Sequence, residues 1–498
     1  MRKKIRMLQF KKIVSLLVLV LLGTALQAQK NITKPNVTGP NGVSVNTYTG
    51  GLFHQRQDLM IPGRGLSIDL TFSYNTVSRE RDWGMGRAWT FNYNMAYRFD
   101  SLDVVIEHMD GSRNRYVPNG SGGWSCPTGV FDSLEQYQVN QFLLTRKDGM
   151  KYYFDDASHR KLTRLEDRNG NTISLAYTDS LLTTITDPSG RQVMLSWTDG
   201  RLRKITDPNW SGGREIQYTY DVQGNPTSVR DALSKLTEYT YDNQFRITAI
   251  INKNGSPVNI TYNFLDAVRE IISCVGKQTL TYNYEKLKTY LVEEIEGKKQ
   301  ITTYQFNEAG QVIQQSGNCC GFNVKFEYDA RNNITKRIDA NDNATSFVYD
   351  DRGNVLQEID PLGNAMIRSY EPVFNKMTSE RDRNGNLTQY LYDPNGNLLR
   401  VNHPLGISEV YTYAAFGNLT SFTDGRGNIN TYTYDGNGQL LTFLDPAGGV
   451  TSFAYDGVSN NNSFTVPNGH TTQVTYDMLT RTTSSNTAIN EKIEFTYD

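Results

Sequence analysis

Five histidines, His54, His108, His159, His403 and His470, and four cysteines, Cys126, Cys274, Cys319 and Cys320, are the residues best suited to acid–base, nucleophilic or metal chemistry in this chain. The histidines are scattered, and none makes a close pair. No Gly-x-Ser-x-Gly, His-Glu-x-x-His or phosphate-binding loop occurs. Cys319 and Cys320 are adjacent in SGNCCGF, but no His or second Cys-x-x-Cys lies near them, so the spacing offers no zinc site. A structural disulfide is the other role open to them. Carboxylates are plentiful and mostly open turns. Three turns, Asp167–Asn171, Asp382–Asn386 and Asp393–Asn397, place oxygens at alternate positions, like the first half of a calcium loop. Their glycine stands fourth where such a loop needs it sixth, and the twelfth position holds Thr178, Asp393 or Pro404 instead of Glu. Capping accounts for these aspartates. No catalytic, cofactor-binding or metal-ligating residue is assigned, and the chain is expected not to be an enzyme.

The elements that carry these turns repeat. A tyrosine precedes a turn at Tyr220, Tyr241, Tyr262 and Tyr282, then at Tyr328, Tyr349, Tyr370, Tyr392, Tyr413, Tyr434, Tyr455, Tyr476 and Tyr497. From Tyr328 every interval is 21 residues except one of 22. A degenerate unit, TYQFNEAGQ around Tyr304, fills the gap. In YDDRGNVLQEIDPLGNAMIRSY, Asp350 accepts from backbone N–H groups ahead of it and Gly353 supplies a positive φ. VLQEI then alternates as a strand, Asp360-Pro361-Leu362-Gly363-Asn364 turns back, and AMIRSY returns. Two strands of five or six residues and two tight turns fit the period.

The residue two before each anchor shares its face: Tyr218, Tyr239, Ile260, Leu280, Phe326, Phe347, Tyr390, Tyr411, Tyr432, Phe453, Val474 and Phe495, with Arg368 the exception. This predicts an aromatic core ladder on one face and Thr, Ser, Gln and Asn on the other. One hairpin cannot bury its own apolar face, so a strip of them must coil or gain a second layer. The expected fold is all-β: continuous antiparallel hairpins curling into a spiral strip, with a β-rich N-terminal domain. A β-propeller is the alternative, since two units make a blade. Odd and even units do not differ, which favours the strip.

The chain opens MRKKIRMLQFKKIVSLLVLVLLGTALQAQK, basic residues followed by an apolar run Ile13–Leu22 and small residues. Residues 1–28 are therefore expected to be a cleavable signal peptide, directing the rest to secretion or the cell surface; the run is short for a membrane anchor. Six of the 51 Lys and Arg and none of the 52 Asp and Glu precede Gln29, which leaves the remainder at about −7. An acidic, evenly mixed surface argues against a nucleic-acid partner. Beyond the leader, residues 31–118 are strand-rich without the period, with a loop at Asn119–Pro127. Residues 119–219 hold degenerate repeats in which Tyr177 and Trp197 stand in for the anchors, and 220–498 the regular ones.

The pieces IPGRGLSIDLTFSYNT, LTRLEDRNGNTISLAYTD and ITDPSGRQV, with the serial Tyr-Asp-x-x-Gly-Asn units, resemble the Rhs/YD-repeat family of bacterial secreted proteins over about residues 43–498. The resemblance implies a strip that spirals into part of a hollow shell, as in Rhs toxins, C components of insecticidal toxin complexes and teneurins. It also implies a C-terminal effector as the enclosed partner. The family's closing core and self-cleavage segment have no counterpart before Tyr497-Asp498, so the reading is of a fragment or truncated member, and those activities are carried to no residue. The competing function is a glycan- or cell-wall-binding adhesion repeat. All five Trp (Trp83, Trp89, Trp124, Trp197, Trp210) precede the regular repeats, which speaks against sugar stacking along them.

Overall fold

The computed structural model describes residues 36–497, apart from 320, 488 and 490. The expected signal peptide lies outside the described residues. Within one unit the local chemistry sets the shape. Asp350 Oδ1 accepts from the backbone N–H of Arg352 (2.9 Å) and Asn354 (2.8 Å), and Asn354 Nδ2 donates to Asp350 Oδ2 at 2.8 Å. The backbone closes the same turn through Gly353 N to Asp350 O at 3.1 Å and Asp350 N to Asn354 O at 3.0 Å. Both carboxylate oxygens are thus consumed by the turn itself, and the fifth-position amide keeps a second N–H for a neighbouring turn. Strands Val355–Ile359 and Ala365–Tyr370 follow, at the predicted places.

The anchor tyrosine ties each unit to the one before. In most units its hydroxyl donates to a backbone carbonyl about 15 residues upstream: Tyr349 to Ile334 O and Tyr392 to Met377 O, both at 2.7 Å, and Tyr476 to Asn461 O at 2.8 Å. The degenerate anchors obey the same rule. Tyr177 reaches Leu162 O at 2.7 Å, and Trp197 substitutes its indole N–H, donating to Leu182 O at 2.7 Å. In the degenerate unit before Tyr328 the anchor position falls on Phe306, not Tyr304. The register shift that marks the other anchors, Tyr282 excepted, sits between Gln305 and Phe306.

That shift is a β-bulge. Val348 pairs with Gln357 and Tyr349 with Val355, which leaves Leu356 as the extra residue. The bulge recurs in the hairpin after the anchor from Tyr177 to Tyr476, whereas the opposite hairpin, such as Ile359 with Ala365, is regular. One edge of the strip therefore gains twist that the other lacks, and the strip bends. The Tyr282 hairpin pairs without a shift.

The outcome is one 35-stranded antiparallel sheet, every strand paired with its sequence neighbours, from Ser133–Gln138 to Lys492–Glu494. A propeller would break this sheet into blades; the strip is continuous. It also meets its own edge. Asn375 Nδ2 donates to Lys147 O at 2.5 Å and Asn397 Nδ2 to Asn169 Oδ1 at 2.8 Å, each across 228 residues. Asn171 Nδ2 reaches Phe416 O at 3.0 Å. Residues 133–306 form a first winding and 307–497 a second, and the post-anchor turns of the second sit on the opposite turns of the first.

Two small sheets precede the strip. The five-stranded one runs from Val37–Thr38 to Trp89–Phe91, the four-stranded one from Ala96–Asp100 to Trp124–Ser125. The second ends in a two-residue strand inside the segment read as a loop, Pro118 pairing with Trp124. Both sheets lie on the tyrosine face of the first winding: Tyr97 packs on Phe142 at 4.8 Å and Tyr48 on Phe306 at 5.2 Å between ring centroids. Seventeen strands laid flat would extend roughly 80 Å. Two small sheets reach both ends of that span because the tyrosine face is concave. Among the described residues no helix is long and apolar enough to cross a membrane.

Candidate functional site

The tyrosine face carries two contrasting sites. The first is a buried polar cluster where strand Leu52–Ile61 crosses the first winding. Leu52, Leu59 and Ile61 are buried as an alternating strand requires, yet the positions between them on the inward face are His54, Arg56 and Asp58. A bulge at Asp58, between Gln57 and Leu59, turns its carboxylate inward. Arg56 and Asp58 form an ion pair with Nε–Oδ1 at 2.5 Å and side chains only 12% and 4% exposed. Tyr218 donates its hydroxyl to Asp58 Oδ2 at 2.7 Å, and Arg56 Nη1 donates to the Tyr239 oxygen at 2.5 Å. The Arg56 guanidinium lies 5.4 Å from the Trp89 ring centroid and 5.5 Å from those of Phe72 and Tyr239. His54 Nε2 is 3.2 Å from the same Tyr239 hydroxyl, and Trp89 donates its indole N–H to Tyr241 at 3.0 Å.

The electrostatics are those of a sealed site. Burial, with the nearby Arg56 charge, lowers the His54 pKa to about 3, so the ring is neutral at physiological pH. Burial works against the Arg56 charge, but Asp58 and the two tyrosines hold it firmly protonated. Burial pushes Tyr218 well above the ordinary tyrosine value, with Asp58 adding to it. No proton in this cluster is poised to move near neutrality. Its effect is to dock the N-terminal strand on Tyr218 and Tyr239, two adjacent minus-two positions of this winding.

The second site is the tyrosine face of the second winding. At the matching register the first winding pairs Tyr239 with Ile250 and Ile260 with Ile271, all at most 3% exposed. The second pairs Tyr411 with Phe422, Tyr432 with Phe443 and Phe453 with Phe464, with ring centroids at 5.1, 5.5 and 6.5 Å. All six rings are half-buried. Arg368 replaces the aromatic rung with an ionic one, bonding Glu380 at 2.8 Å and approaching Glu358 at 3.5 Å. The expected ladder is present, and it is core only where a second layer covers it. On the outer face hydroxyls bond across strands, as Thr412 with Ser421 at 2.6 Å and Thr475 with Ser484 at 2.8 Å.

The structure does not gather the other residues singled out from sequence. His108 is buried, His159 bonds Asp156 at 2.8 Å on a surface turn, His403 lies 3.4 Å from Glu409, and His470 is exposed. Cys126 and Cys274 are unpaired thiols; burial raises the Cys126 pKa to about 11, away from nucleophilic use. Cys320 lies outside the described residues. At the half-calcium turns the carboxylates are already occupied: Asp382 accepts from Asn384 N and Asn386 N at 2.9 Å and from Asn386 Nδ2 at 2.8 Å. Among the described residues no group of three or more His, Cys, Asp or Glu is placed to hold a metal ion.

Three family models match the chain: a domain of unknown function (DUF6531) over residues 42–116, the RHS repeat over 197–234 and 220–257, and the teneurin YD-shell over 275–479. The chain thus carries RHS repeats followed by a segment that matches the YD-shell. Among curated proteins it is 33% identical over 315 residues to the tRNA nuclease WapA of Bacillus subtilis (strain 168), a match covering 61% of this chain and 13% of that protein. The tRNA3(Ser)-specific nuclease WapA of Bacillus spizizenii is 32% identical over the same shares. The match thus spans about an eighth of the length of these relatives. Among solved structures, TcdB2–TccC3 without its hypervariable C-terminal region covers 91% of this chain, itself covered to 28%, with 13% identity and a TM-score of 0.46.

Proposed function

We propose that this chain is a wall section of a secreted or cell-surface Rhs/YD shell whose work is containment and presentation of a C-terminal effector, without catalysis of its own. The observation that carries the reading is the change in the tyrosine face along one continuous strip. In the first winding the concave face is filled by the N-terminal sheets; in the second the same face is half-buried and amphiphilic. Aromatic rings interrupted by Arg368, Glu358 and Glu380 suit weak, non-specific contact with an unfolded polypeptide. They offer apolar surface without the dry, matched packing that would fold it.

The curated relatives support this reading by their printed names, which describe nucleases. Nuclease activity itself is assigned to no residue here. Export is part of the proposal and rests on the leader at residues 1–28.

The test is protection. An unstructured reporter peptide fused after Asp498 is expected to be digested by proteinase K about tenfold more slowly than the same peptide on an unrelated carrier. Equal digestion rates would remove the containment reading. Secretion of the full chain by its natural type of host, lost on deleting residues 1–28, checks the localisation.

A further inference from the structure

The contacts that hold one winding to the other include three arginines with a shared geometry. Arg191 occupies the fifth position of its turn, where Asp-x-x-Gly-Asn has asparagine. It closes that turn as asparagine does, its N–H and Nε both bonding Asp187, at 2.9 and 2.8 Å. The longer side chain then reaches on: Nη1 bonds Ser459 Oγ of the second winding at 2.5 Å, and Nη2 bonds Pro62 O of the N-terminal hairpin. Arg214, seven residues after Asp207 at the end of a longer turn, reaches outward in the same way. Its Nε bonds Asp207 at 2.7 Å, Nη1 bonds Met478 O at 2.9 Å, and Nη2 bonds Met60 O at 3.3 Å.

Arg64 makes the third node from the hairpin side. Its Nε bonds Asn171 Oδ1 at 3.2 Å, Nη2 bonds Pro188 O at 3.0 Å, and Nη1 bonds Gly436 O of the second winding at 3.3 Å. The guanidinium also lies 3.7 Å from the Phe416 ring centroid. The neighbouring glycines make the room: a Cβ on Gly65 would stand 2.1 Å from Asn171 Nδ2, and one on Gly438 would stand 2.8 Å from Arg64 Cγ.

We propose that Arg64, Arg191 and Arg214 are a row of interwinding fasteners that set which unit of the second winding lies over which unit of the first. Their second-winding partners, Gly436, Ser459 and Met478, fall in successive post-anchor turns, so the nodes recur about once per repeat. Arginine suits the task because one planar group carries donors in several fixed directions, whereas lysine is a point charge. The fifth position alone is not enough. Arg246 also closes its own turn on Asp242, but its outer nitrogen bonds Asp266 at 2.7 Å and stays within the first winding. The inference concerns what holds the windings in register, and it stands whether or not a cargo is enclosed.

Hydrogen–deuterium exchange on the full chain tests it. In R64A/R191A/R214A, exchange in segments 435–439, 456–460 and 477–481 is expected to rise about tenfold, the scale of one lost charge-assisted hydrogen bond. The strands at 236–241 and 247–251 should not change, and R246A should leave all three segments as they are. Arg214 is buried against Asp207, with side chains 2% and 0% exposed, so its loss removes a buried ion pair as well as the seam contact. R64A and R191K then decide the matter. R64A should loosen 435–439 alone. R191K, which keeps a charge beside Asp187, should still loosen 456–460. Unchanged exchange in those segments, acceleration spread evenly over both windings, or full rescue by R191K would overturn the proposal.

Discussion

Tyr239 and Tyr432 hold the same place in the same hairpin unit, one in each winding, and live in different surroundings. Tyr239 is 3% exposed, bonded to Arg56 and packed against Trp89. Tyr432 is half-buried, stacked on Phe443 and covered by no other sheet among the described residues. The difference teaches that the unit does not require a core to keep its form. Its turns, bulge and anchor hydrogen bond are closed within about 20 residues of chain. The core is an addition made where another layer arrives.

Four changes would break or sharpen that comparison. The largest effect is expected at the docked cluster. Asp58→Ala leaves Arg56 buried without its partner and should cost roughly 3–5 kcal/mol in urea unfolding. Next, Ile250→Ala should cost about 3 kcal/mol, whereas Phe443→Ala at the matching register should cost nearer 1 kcal/mol. Equal costs would erase the distinction between a filled and an open face. Tyr349→Phe removes only the hydroxyl that reaches Ile334 O and should cost about 1 kcal/mol, read as a lower unfolding midpoint with little change in slope.

The smallest and most local effect concerns acid. Hydrogen bonds from the Asn386 side chain, and from backbone N–H groups, hold the Asp382 carboxyl below its ordinary value of 3.8; Asn428 does the same for Asp424. A depressed folded-state pKa contributes stability above the unfolded value, and that contribution disappears as pH falls through the folded value. Below pH 4 the second winding should therefore loosen before the first, followed by segment-resolved exchange. Asp382→Asn with Asp424→Asn should flatten that dependence.

The repeat was legible because its determinants are local. Asp, Gly and Asn at fixed offsets declare the turn, and tyrosine every 21 residues declares the period. The sequence pattern also placed the strands Val355–Ile359 and Ala365–Tyr370. It misplaced the anchor before Tyr328, choosing Tyr304 over Phe306, because a phenyl ring fills the anchor position without the hydroxyl that makes tyrosine stand out.

The docked cluster was hidden for a different reason. His54, Arg56 and Asp58 alternate with Gln55 and Gln57, so no hydrophobic period reports that the charged side points inward. The seam was invisible because its partners stand 228 to 372 residues apart. Nothing in a five-residue turn announces which distant turn will lie beside it. One available signal was arginine at the fifth position in Asp187–Arg191, where most turns carry asparagine.

The anchor hydrogen bond has a direction, and the direction has a consequence for biogenesis. In most units the hydroxyl grips a carbonyl 14 to 18 residues nearer the N-terminus. A unit emerging from a ribosome or a translocation pore therefore completes itself against polypeptide that has already appeared. Nothing downstream is needed to finish it, so the ribbon lengthens like knitting, each row looped through its predecessor.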